Sequence, residues 1–230
     1  MRPVKRGNCP SSNGQPIQFA SHRDARDYLI IRIGDYCSYC EMPRPDGPDV
    51  EHIRPKVYFP RYERSWNNFL LACKFCNRAK WDTRISLNRY YWPHVHNTFL
   101  ALSYSSSGPV PAAHLTPVQR AKALATIQLT GLDRRPGHPA CTDRDTRWRK
   151  REQVWRLAEI SLSNLRSHNT PHMCEQVLIQ ALGHGFGSVW MTVFANEPDV
   201  LRLLIEQYHR TPSDCFDAQG MPIERPNFPL

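Results

Sequence analysis

Two Cys-x-x-Cys pairs, Cys37-Ser38-Tyr39-Cys40 and Cys73-Lys74-Phe75-Cys76, stand 32 residues apart in this chain. Such a turn lets two thiolates grip one tetrahedral Zn²⁺, and four sulfurs close its coordination shell. A closed shell leaves no position for a substrate, so the expected zinc is structural and ties a loop-rich segment together. Cys9, Cys141, Cys174 and Cys215 lack partners at that spacing and read as ordinary free thiols.

The segment around these pairs is the basic part of the chain. Lys and Arg number 30 against 21 Asp and Glu, a net charge of +9, which points toward a polyanionic partner. Residues 1–92 hold 16 basic and 9 acidic side chains, so the polyanion is expected to meet the N-terminal part. Hydrophobic residues at 40% and charged residues at 22% exclude a disordered or collagen-like chain. No apolar run follows the first basic residues, so a cytoplasmic location is expected. The uncharged stretches 90–119 and 176–196 are broken by proline or glycine into pieces too short for a membrane span.

Helix signals divide the chain. Ser21 with Asp24 opens a short lead-in helix that Gly34 stops. The Pro- and Ser-rich segment 93–115 reads as a long connection. Beyond it, Thr116-Pro117 with Gln119 forms a capping box for a helix over 117–130. A longer helix is expected over about 143–166, another from Thr170-Pro171 to Gly183, and a last one from Glu197-Pro198. The expected division is 1–92, a zinc-bearing module, then 93–115, a connection, then 116–230, a helical region. Trp148 and Trp155, beside Arg147, Arg149, Arg151 and Arg156, and the apolar run around Trp190 and Phe194 hold more large side chains than a zinc module requires. Part of that surface is expected to be a protein interface, the alternative being that the tryptophans are simply buried.

Between the cysteine pairs lies Asp49-Val50-Glu51-His52-Ile53-Arg54-Pro55-Lys56, then Asn67-Asn68-Phe69-Leu70-Leu71-Ala72, and the second pair runs into Asn77-Arg78-Ala79-Lys80. Over about residues 36–82 the sequence resembles the HNH nucleases with a four-cysteine zinc site, in the order and spacing of six consecutive features. The resemblance implies an α+β fold: a small ββα-metal, treble-clef-like module followed here by a mainly helical C-terminal region. It implies hydrolysis of DNA phosphodiester bonds, with His52 as general base and Glu51 and Asn77 as oxygen ligands to a catalytic Mg²⁺ or Mn²⁺. Asn68 matches the asparagine that holds the loop and the imidazole orientation, with Asn67 as the alternative. Glu51 replaces the usual Asp and Asn77 the usual terminal His, and both keep an oxygen donor. Because adjacent strand residues face opposite ways, Glu51 and His52 share one site only where the strand is irregular or ends.

Residues 56–89 carry eight basic side chains against Glu63 and Asp82, interleaved with Tyr58, Phe59, Tyr62 and Trp66. Phosphates are their natural counterpart, and Arg54, Lys56, Arg78 and Lys80 are the expected nucleic-acid contacts. The strings Cys37 to Glu41, Glu51 to Lys56 and Asn68 to Asn77 also look like the HNH partner protein of Septu-type and retron-associated anti-phage systems. That likeness implies a separate ATPase as partner, docked on the helical region. Two other function classes stay open at this point, a non-catalytic zinc module that binds nucleic acid and a protein adaptor.

Overall fold

In a computed structural model that describes residues 1–208, 211–226 and 228–230, helices and short antiparallel ribbons alternate through the first half and helices fill the second. After a small ribbon of β1 (Ser11–Ser12) and β2 (Gln15–Pro16), Ser21 caps a single 3₁₀ turn, His22–Ala25. The expected box with Asp24 is formed, and the turn leads into α1 (Arg26–Ile33), which ends at Gly34. β3 (Asp49–His52) pairs antiparallel with β4 (Phe69–Ala72), setting Asp49 opposite Ala72 and His52 opposite Phe69. α2 (Lys74–Lys80) follows at once, with Cys73 at its N-cap.

The segment 93–115 is not a bare connection. It holds α3 (Thr98–Ala101) and the hairpin β5 (Leu102–Ser105) with β6 (Gly108–Pro111), which packs on α4 (Pro117–Thr130) and α7 (Gly187–Val193). Asn97 caps α3, and Ala101, Leu102, Ala112 and Leu115 lie in one core with the hairpin β3–β4. Two of the prolines that suggested a linker, Pro109 and Pro111, lie in β6, an edge strand of a two-stranded ribbon, the kind of strand that tolerates a missing N–H. That core runs from Met1 to Leu132 and includes Ala123, Ile127 and Leu129 of α4, so the cores part after α4 and not at 93–115.

The capping box of Thr116 and Gln119 forms as expected, and Gly131 ends α4 in the left-handed conformation. α5 (Arg147–Ser167) starts later than about 143, because 142–145 close a turn and Asp145 accepts from the Arg147 N–H. α6 (Pro171–His184) runs past Gly183 to Gly185, and α8 (Pro198–Gln207) begins at the expected Pro198. No capping or periodic signal marks α7, whose Trp190 and Met191 are core residues. The second core spans Val154 to Phe216. None of the described helices is long and apolar enough to cross a membrane.

The two cores meet at the first cysteine turn. Ser188 donates its N–H to Glu41 Oε2 at 2.7 Å and its hydroxyl to Oε1 at 2.6 Å, and the Phe186 N–H donates to the Glu41 carbonyl at 3.0 Å. Tyr36 donates its hydroxyl to the Leu182 carbonyl in α6.

Candidate functional site

Cys37, Cys40, Cys73 and Cys76 are buried, and their four sulfurs lie within 4.8 Å of one another. Cys40 Sγ and Cys73 Sγ are 3.7 Å apart. Tetrahedral Zn–S bonds of about 2.3 Å place sulfurs about 3.8 Å apart, so the donor set fits a zinc ion. Each pair also binds its own turn, with Cys40 N–H on Cys37 Sγ and Cys76 N–H on Cys73 Sγ, both at 3.5 Å. Ser38 ties the first turn to β4 by donating its N–H to the Leu71 carbonyl and accepting from the Leu71 N–H. Among the described residues, no other group of three or more His, Cys, Asp and Glu side chains is placed to hold a metal ion.

Four thiolates on one Zn²⁺ would carry a net charge of −2, and the helical half places cations beside the sulfurs. Arg147, at the start of α5, is fully buried and donates Nη1 to Cys76 Sγ at 3.0 Å. Its remaining donors reach the Thr130 and Gly131 carbonyls and both carboxylate oxygens of Asp145. Burial works against its charge, and Cys76 and Asp145 more than offset that. Arg151, one turn on, is buried as well and donates to the Leu132 carbonyl. Two of the four arginines expected at a protein interface are therefore interior groups, leaving Arg149 and Arg156 exposed. No local pattern marks Arg147 for this role, since its sulfur partner lies 71 positions away.

His52 ends β3 on the face turned away from α2. Its Nε2 lies 2.8 Å from the Glu63 carbonyl. A carbonyl only accepts, so Nε2 carries the proton and Nδ1 keeps the lone pair. The ring packs edge-on to Phe69, and His22 of the lead-in turn lies against it at 4.8 Å between centroids. Burial lowers the His52 pKa, the Glu63 carbonyl partly restores it, and Lys56 lowers it again. Burial and the neighbouring His52 lower His22 too. In the sequence His22 stands out only as part of a helix start, and no motif ties it to a histidine 30 positions on.

The loop that carries the Glu63 carbonyl is braced by Asn68. This buried amide accepts from the Arg54 N–H at 2.8 Å and donates to the Arg54 and Tyr62 carbonyls at 3.0 and 3.2 Å. Asn67 is exposed.

Glu51 points the other way, as alternation along an unbroken strand requires. It is buried beneath α2, where Lys80 Nζ lies 2.8 Å from Oε1 and the Tyr39 hydroxyl 3.3 Å from the same oxygen. Burial raises its pKa, and Lys80 and Tyr39 only partly counter this. Lys80 also donates to the His52 carbonyl at 2.7 Å. Two expectations are thereby corrected. Lys80 is a buried counter-ion and not a surface contact for nucleic acid, and Glu51 does not share a face with His52. An ammonium already stands where a hard cation on Glu51 would sit, so the expected Glu51–Asn77 cation set is not assembled. Asn77, half-buried one helical turn before Lys80, instead lines a hollow with Asp49.

The other expected contacts divide. Lys56 and Arg78 are exposed, and Lys56 pairs with Glu63 at 3.2 Å. Arg54 is half-buried, with its guanidinium over the Tyr62 and Phe59 rings at 4.8 and 5.8 Å. Trp66 is core and donates to the Gly7 carbonyl. His96 Nδ1 accepts from the Trp92 N–H at 3.0 Å. The chain matches no protein-family model and no curated protein.

Proposed function

We propose that this chain hydrolyses phosphodiester bonds of nucleic acid, with the strand–strand–helix unit β3–β4–α2 serving as an HNH-type module stapled by zinc. The observation that carries the reading is His52, whose Nε2–H is fixed on the Glu63 carbonyl so that Nδ1 is a free base on a half-buried surface. A depressed pKa keeps that base unprotonated at neutral pH. In the reaction, Nδ1 takes a proton from water, the water oxygen bonds to phosphorus, and the leaving oxygen departs with the bonding electrons. Lys56 is an exposed cation whose charge acts on His52 and can offset charge on the phosphoryl oxygens, and His22 is a second imidazole beside the first. Zinc has no part in this step. It holds the two turns together and fixes the start of α2.

Resemblance alone supports a catalytic Mg²⁺ or Mn²⁺, a role in anti-phage defence and a separate ATPase partner. A hard cation at Glu51 has to displace the Lys80 ammonium, and the scheme gives it no step. That same ion pair favours a second reading, a zinc module that binds nucleic acid without cutting it. The two readings separate in one assay, in which plasmid and single-stranded DNA are incubated with wild type and His52→Ala in Mg²⁺, in Mn²⁺ and in chelator. The proposal expects cleavage by wild type and a fall of ~10²- to 10⁴-fold in His52→Ala with binding kept. Binding without cleavage by wild type under every condition leaves only the second reading.

A further inference from the structure

Beside Asn77, on the α2 side of the ribbon, lies a hollow of about 520 Å³ that the His52 site does not use. Lys74, Arg78 and Arg144 line it and are exposed. None of the three enters an ion pair among the described residues. A fourth cation, Arg44, is engaged with Asp46. Desolvated, paired arginines build structure, as Arg147 does, whereas exposed and unpaired ones around a concavity suit phosphate oxygens.

Trp81 forms one wall and is 68% exposed, more than any other large aromatic side chain among the described residues. It follows α2 with φ 41°, a backbone region that bulky side chains seldom occupy. The same turn holds the indole at the rim of the cation cluster. An aromatic face beside unpaired arginines is the arrangement on which single-stranded nucleic acid stacks, since every base offers a π-face and duplex DNA keeps its bases covered. Asn77, Asp49 and Asp82 add amide and carboxylate groups to the hollow. Carboxylates repel phosphate but accept from the amino groups of a base edge, so the lining suits a nucleotide better than a bare anion.

We propose that this hollow binds an unstacked nucleotide of single-stranded nucleic acid, with its base on the Trp81 indole and the flanking phosphates on Lys74, Arg78 and Arg144. The inference deepens the nucleic-acid reading of the module by naming the form of substrate, and it stands apart from the chemistry of His52.

The test uses the full-length chain. Fluorescein-labelled 12-nucleotide deoxyribo- and ribo-oligonucleotides, and the deoxy sequence as a blunt duplex, are titrated by anisotropy. Proteins compared are wild type, Trp81→Ala, Trp81→Phe and Arg78→Glu/Arg144→Glu. Wild type binds the single strands more tightly than the duplex, and Trp81→Ala loses about tenfold on single strands with duplex binding unchanged. Trp81→Phe recovers most of that loss, and the double charge reversal weakens single-strand binding further. The two sugar forms show whether DNA or RNA is preferred. Because Trp81 is exposed, thermal unfolding is expected to match wild type. Single-strand binding that is equal in Trp81→Ala and wild type overturns the proposal. If Trp81-dependent binding is found while wild type cuts nothing, the hollow stands and the hydrolase reading fails. Cleavage lost in His52→Ala without Trp81-dependent binding keeps the hydrolase reading and overturns the nucleotide site.

Discussion

Arg147 Nη1 lies 3.0 Å from Cys76 Sγ, and through that bond the first turn of α5 is held on the cysteine cluster. The cluster is thus shared between the two cores. Sulfur ligands whose charge is compensated by buried donors bind metal more tightly, and removing such a partner costs typically 10- to 100-fold in affinity.

Arg147→Met is therefore expected to lower zinc affinity by about 10- to 100-fold and to lower the melting temperature. Competition with a chromophoric chelator measures the first and calorimetry the second. Arg149→Met, at an exposed position in the same helical turn, leaves both unchanged. Equal zinc affinity in Arg147→Met and wild type would show that the guanidinium is only a packing element.

Asn68→Ala strands the Arg54 N–H and two carbonyls on a partly buried loop, and is expected to destabilise the fold by about 1–3 kcal/mol. Because that loop carries the Glu63 carbonyl, the His52 ring loses its anchor and cleavage slows as well. Urea unfolding and a cleavage time course check the two effects. Asn67→Ala, at an exposed position, changes neither.

What the sequence made legible was local. Thr116 with Gln119 and Ser21 with Asp24 specify helix starts through bonds three residues long, and each Cys-x-x-Cys turn brings two sulfurs together over the same short span. Long-range pairing was hidden. Nothing near Lys80 shows that its ammonium turns inward to Glu51, 29 positions earlier, so a lysine in a basic run reads as a surface cation. Alternation on β3 does foretell that Glu51 and His52 part company, and the intact register to Phe69 is why they do. The hairpin β5–β6 escapes a sequence reading because proline and serine mark both linkers and edge strands, and only its packing on α4 and α7 decides between them.

Gly185 joins α6 to α7 with φ +72°, and a Cβ there would lie 2.6 Å from the Pro43 ring and 2.8 Å from the Glu41 carbonyl. Backbone and a proline ring yield little, so Gly185→Ala is expected to cost at least about 1–3 kcal/mol. Gly183→Ala, with open space around its Cβ inside α6, is neutral or stabilising by up to about 1 kcal/mol. Urea midpoints of the two variants test whether the corner at Gly185 joins the two cores.

The pH dependence follows from His52. A base whose pKa lies below the ordinary imidazole value of 6.5 stays unprotonated to lower pH, so activity is lost only as pH falls through that depressed value. The acid limb of kcat/KM is expected to have its midpoint below 6.5. A midpoint above the ordinary imidazole value would mean that another group limits the rate.

Chemical rescue of His52→Gly isolates the role of the imidazole as base. Deleting the ring removes the base and leaves space beside the Glu63 carbonyl, and cleavage of plasmid DNA is expected to fall by ~10²- to 10⁴-fold. Added imidazole should restore part of the rate, in proportion to the concentration of its neutral form. A His52→Gly protein that cuts at the wild-type rate without imidazole would contradict the assignment of His52 Nδ1 as the base.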